Sequence, residues 1–145
     1  MITDIAKHND FRHVLEYHER KINIGTCDFM ETNLYGNNTN ELEREFLDVT
    51  GRRPNRQVNR CYHLSLAVTK QEHLSTKEFQ ELGNAYMKKF GFTNHPYLMY
   101  RHNDKDHEHI HIVTSPIDFD GNKLDSWRKK YRILDKKILI YHSRM

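Results

Sequence analysis

Cysteine and proline are scarce in this chain. Two cysteines and three prolines in 145 residues leave no material for a disulfide framework or a proline-rich linker. Cys27 and Cys61 also lack the CxxC spacing of a zinc or redox motif. The sequence has no internal repeat, no low-complexity tract and no apolar run of membrane-spanning length. Its N-terminus, MITDIAKHNDF, lacks the hydrophobic stretch of a signal peptide. These absences exclude a secreted disulfide scaffold and a helical membrane anchor, and they predict a cytoplasmic protein with two reduced thiols.

What is present describes one ordinary globular domain. Hydrophobic residues make up 37% and charged residues 30%, a balance that supports a packed core rather than a disordered or fibrous chain. At this length about two-thirds of the unfolded surface can be buried. The net charge of +3 permits a polyanionic partner without arguing for one. Its distribution is more informative: Arg52, Arg53, Arg56 and Arg60 occur with no acid among them, and eight basic residues after Gly121 face only Asp125 and Asp135. Such blocks are either phosphate contacts or solvated surface.

Apolar periodicity predicts alternating strands and helices. Met1 to Lys7 reads as a strand, followed by a helix from Asp10 to Lys21 capped by Asn9. Thr26 to Leu34 reads as a strand, and Asn40 to Thr50 as a helix ending at Gly51. CYHLSLAV, residues 61–68, alternates as a half-buried strand with Tyr62, Leu64 and Leu66 opposite His63, Ser65 and Ala67. Ser75 and Glu78 have capping-box spacing, Leu74 and Phe79 staple spacing, and Phe79, Leu82, Tyr86 and Phe90 share one helical face before Gly91. Two strands follow, Tyr97 to His102 and His107 to Thr114, then a turn at Asp120-Gly121. The expected fold is α/β (α+β): a central, mostly antiparallel sheet with a histidine-bearing hairpin and helices packed on one face.

The chemistry concentrates in RHNDKDHEHIHIVTSP, residues 101–116, where His102, His107, His109 and His111 fall close together. With residues 103–106 as a four-residue loop, His102 stands opposite His107. Residues 98, 100 and 102 then share a sheet face with 107, 109 and 111, while Met99, Ile110 and Ile112 turn to the opposite face. Histidines two apart on a strand are separated by roughly 7 Å along the backbone, a span two imidazoles can close on one ion. His102, His109 and His111 are therefore candidate metal ligands. Three neutral ligands with open positions suit a catalytic cation better than a closed structural zinc site. His107, Asp104, His63 and Glu72 are candidate supporting groups or further ligands, and Asp104 and Asp106 serve equally well as turn formers.

This hairpin, together with IAKHNDFRHVLEY, CYHLSLAV and IDFDGNKLDSWR, resembles the mobilisation relaxases, members of the HUH endonucleases, in which two histidines flank a hydrophobic residue. The resemblance takes in residues 1–132 as a nuclease domain and leaves residues 133–145 as a basic tail. Relaxases continue well past this motif, so the resemblance also implies a chain truncated at its C-terminus. It implies a nucleophilic tyrosine on the first helix, which here is Tyr17, and a magnesium or manganese ion. Histidine ligands would also take zinc or nickel in vitro. The expected activity is strand-specific nicking and rejoining of single-stranded DNA at a transfer origin through a 5′-phosphotyrosyl intermediate, with accessory mobilisation proteins as partners. Arg12, Arg52, Arg53, Arg56 and Arg128 are candidate backbone contacts, and Tyr35, Trp127 and Tyr131 candidate stacking faces. The same resemblance admits a replication initiator of the HUH group, or a DNA-binding remnant that no longer cleaves. A metal-storage or structural zinc module is a further alternative, disfavoured because the cysteines do not join the histidine site.

Overall fold

The computed structural model describes residues 2–53, 60–67, 74–103 and 108–124. In chain order the elements are β1 (Ile2–His8), α1 (Phe11–Asn23), β2 (Cys27–Thr32), α2 (Thr39–Thr50), β3 (Cys61–Ala67), α3 (Thr76–Phe90), β4 (Tyr97–His102) and β5 (His109–Thr114). The five strands form one sheet in the order β1-β3-β5-β4-β2, and every neighbouring pair is antiparallel. The strands that carry His102, His109 and His111 are therefore interior, with β4 and β5 paired to each other and each flanked by a further strand.

Local chemistry explains the helix boundaries. Asp10, rather than Asn9, caps α1, its side chain accepting from the Arg12 amide. Asn38 does the same for α2. The α3 capping box forms as its spacing predicts, with Ser75 and Glu78 satisfying each other's backbone amides, and Gly91 closes the helix at φ 94° in the left-handed region that favours glycine. The Asp120-Gly121 turn is also present: the Gly121 amide donates to the Asp118 carbonyl, and Ile117 bridges to Lys123.

Helices cover both faces of the sheet, which corrects the one-face expectation. Phe79, Leu82, Tyr86 and Phe90 of α3 pack with Leu64, Leu66, Met99, Ile110 and Ile112. Phe11, Val14 and Leu15 of α1, with Phe46 of α2, pack with Leu98, Tyr100 and Val113. Leu98 pairs with Val113 and Met99 with Ile112, and neighbouring residues of a strand point to opposite faces, so these are two layers. The cause is that each helix carries its own apolar stripe, and one sheet face cannot bury all of them. The alternation expected of β3 is present, with Tyr62, Leu64 and Leu66 buried on the α3 side and His63 and Ser65 only partly buried on the other.

Gly83 sets how closely α3 approaches the sheet. A Cβ there would lie 2.7 Å from Met99 Sδ and 3.7 Å from a methyl of Ile112. Gly83→Val should therefore overpack the contact and lower the unfolding free energy by about 1–3 kcal/mol. Urea denaturation measures it, and an unchanged midpoint would contradict the close packing.

Candidate metal centre

The register across the sheet gathers the histidines in two adjacent rows. His102 pairs with His109, and on its other side with Cys27. The next row on the same face places His111 between Tyr100 and Ser65, with His63 one step further along β3. The sequence had set His102 opposite His107. In the structure the strands are joined by residues 103–108, so His109 takes that place, and His107 lies outside the described residues. The shift is by two residues, so the same side chains remain on the same face.

His102, His109 and His111 each offer a donor nitrogen within 4.8 Å of the others. Around one ion at about 2.1 Å, such nitrogens stand roughly 3 Å apart, so small rotations of the rings would close the set. The donor chemistry fits a divalent cation with open positions, as the sequence suggested.

The cluster is larger than that triad. His18 descends from α1 and lies fully buried, its Nδ1 2.9 Å from His102 Nε2. His63 Nε2 lies 2.6 Å from His111 Nδ1, and His109 Nδ1 lies 2.7 Å from His111 Nε2. His18, His63 and His111 form a further set within metal-holding distance, as do His18, Cys27 and His102. His18 was legible in principle: with Phe11, Val14 and Leu15 it completes the i, i+3, i+4, i+7 stripe of α1. Cys27 carried no such signal.

Burial keeps His18, His63 and His111 neutral. Desolvation, then the proximity of His63 and His102, pushes His18 down to about 2. Desolvation followed by neighbouring His8 and His102 lowers His63 to about 4, and His111 is depressed further by the same causes. A neutral imidazole retains the lone pair that a metal ligand needs, so the layer is held in its ligating form.

Tyr17 sits at the rim of this layer. It is half-buried, its ring stacked 6.1 Å from that of His102 and edge-on 5.2 Å from that of His18. Lys21 Nζ lies 5.7 Å from its centroid. The apolar face of α1 is supplied by its neighbours, and Tyr17 is not one of the buried core residues.

The candidate DNA contacts are less coherent. Arg12 donates to Glu43 at 2.9 Å and also meets Glu16 and Asn40, so its guanidinium is engaged between α1 and α2. Hydrogen bonding to Glu43 and its charge raise the Arg12 pKa. Arg52 donates to Asp48 and to the Phe119 carbonyl, tying the end of α2 to the turn at Gly121. Arg53 follows α2, half-buried. Tyr35 is 91% exposed. Arg56, Glu72, Asp104, Asp106, His107, Trp127, Arg128, Tyr131 and the tail from residue 133 lie outside the described residues. On the α3 side, Arg101 donates to Glu108 at 2.6 Å and to Thr76 at 3.0 Å, bracing the base of the hairpin against the start of α3.

Residues 17–138 match the model of a family described as Relaxase: MobA/VirD2-like, nuclease domain. A stretch of 75 residues, 52% of this chain, is 33% identical to Protein rlx of Staphylococcus aureus and covers 24% of that protein. The chain therefore spans well under half the length of this curated relative.

The neutral histidine layer generates a pH dependence. In the unfolded chain these residues titrate near 6.5, while folding lowers His18 to about 2 and His63 to about 4. Their contribution to stability is fully present above about pH 6.5 and is lost as pH falls toward the folded-state values, because only the unfolded chain takes up protons. The urea midpoint of the metal-free protein should fall steadily over that window, and His63→Gln should make the slope shallower. A midpoint constant over the same range would contradict the buried neutral layer.

Proposed function

This chain belongs to the MobA/VirD2-like relaxase nuclease family, and from that premise we propose that it nicks and rejoins single-stranded DNA at a transfer origin, with Tyr17 as nucleophile and His102, His109 and His111 holding a divalent ion. The observation that carries the reading is the juxtaposition of a half-buried phenol with the strand triad, the Tyr17 ring stacking 6.1 Å from His102. In the reaction, Tyr17 Oη forms a bond to phosphorus and the bond from phosphorus to the 3′ oxygen breaks. The phenolic proton is given up and the departing oxygen ends as a 3′ hydroxyl. One phosphodiester is exchanged for another, so the strand can be rejoined by the reverse step. Magnesium or manganese at the triad would supply charge stabilisation to a non-bridging phosphate oxygen.

The chain's own residues supply position and proton economy. The α1 helix holds Tyr17 over the sheet because Phe11, Val14, Leu15 and His18 are anchored beneath it. The depressed basicity of His18 and His63 keeps positive charge from accumulating before the cation binds. His18 and His63 orient His102 and His111 through their short nitrogen contacts. Phosphate contacts come from basic side chains other than the engaged Arg12, with Arg56 and Arg128 among the candidates, and accessory mobilisation proteins assist at the origin.

The test uses labelled single-stranded oligonucleotides tiled across DNA flanking the protein's own gene, with Mn2+. The expected result is a denaturation-resistant protein–DNA adduct that disappears in Tyr17→Phe and with chelator. His109→Ala should weaken metal binding by more than the about 10–100-fold typical of losing an outer-sphere partner, and it should abolish the adduct. An adduct that persists in Tyr17→Phe removes the tyrosine assignment, while binding without cleavage supports a DNA-binding remnant instead.

A further inference from the structure

His18, Cys27 and His102 form a second ligand set, with one donor atom from each within 4.8 Å of the others and all three side chains buried. Register accounts for Cys27. It is the partner of His102 across β2 and β4, so the thiol and the imidazole leave the same face of adjacent strands. His18 arrives from the helix above, and its Nε2 is buried with no hydrogen-bond partner among the described residues. An unsatisfied buried nitrogen costs free energy that a metal bond would recover. The donors also differ in kind from the strand triad. A thiolate is soft and selects zinc-like ions, whereas imidazoles alone accept harder ones.

We propose that His18, Cys27 and His102 form a second cation site, selective for thiophilic ions such as Zn2+, which shares His102 with the strand triad and competes with it. Binding releases the Cys27 thiol proton to solvent and leaves the thiolate as ligand. A neutral imidazole has one lone-pair nitrogen to offer, so His102 serves one ion at a time. Filling the thiolate site then withdraws a ligand from the triad and acts as a brake on cleavage. The brake rests on the nuclease reading above; the binding site does not.

Co2+ titrated into the full chain tests the site. The expected result is a sulfur-to-cobalt charge-transfer absorption that saturates at a single equivalent. It should persist in Cys61→Ser and in His109→Ala, and be lost in Cys27→Ser. If Cys27→Ser fails to fold by circular dichroism, Cys61→Ser alone carries the assignment, because the chain has only these two thiols. No sulfur band in the wild-type protein, a band that follows Cys61, or one lost in His109→Ala would overturn the proposal. For the brake, direct displacement of Mn2+ from the histidines by Zn2+ is common to both proteins, so the readout is sensitivity. Half-inhibition of the Mn2+-supported adduct should need at least about tenfold less Zn2+ in the wild type than in Cys27→Ser. The same half-inhibiting Zn2+ concentration in both proteins would overturn the competition. A wild-type chain that forms no adduct with Mn2+ alone counts against the nuclease reading, and the cobalt band still decides the site.

Discussion

The antiparallel pairing of β4 with β5 is the constraint on which the site depends. It sets His102 beside His109 and places His111 one row along the same face. A slip of one residue would send His109 and His111 to the α3 side and expose Ile110 and Ile112 to the histidine layer. Both faces oppose that slip. Met99 and Ile112 are locked against Gly83 of α3, and Leu98 and Val113 against α1 and α2. The hydrophobic packing thus fixes a register whose purpose is to align polar side chains.

One sheet face consequently serves two roles. At one end Leu98, Val113 and Cys61 close an apolar layer with Phe11 and Phe46; at the other, five histidines meet beneath α1. Burying imidazoles next to one another penalises their charged forms, and the depressed titration of His18 and His63 expresses that cost. Such local conflict with folding is expected where a ligand is to be bound. Tyr17 stands at the edge of this layer rather than within the core, which leaves its ring accessible from outside.

Much of this was legible from periodicity. The alternation in CYHLSLAV and HEHIHIV gave the strand faces, and the α3 capping box and Gly91 gave that helix its ends. His102, His109 and His111 share one face although the connecting loop is longer than expected, because a two-residue change preserves side-chain parity. Other features depended on contacts far apart in the chain. Nothing local to Cys27 indicates that it pairs with His102, since β2 joins the sheet beside β4 only after three other elements have intervened. The second helical layer was missed because each amphipathic stripe records that a face is buried, not which side of the sheet buries it. Arg12 read as a phosphate contact because its sequence neighbours gave no hint of Glu43.

The account stands on three imidazoles sharing one ion beside a phenol. A crystal of the protein grown with Mn2+ and measured at the manganese absorption edge tests that most directly. The account predicts one anomalous peak at nitrogen-ligand distance, about 2.1 Å, from His102, His109 and His111, on the side of the sheet that carries Tyr17. A peak bound elsewhere, or ordered rings with no ion between them at saturating Mn2+, would contradict it.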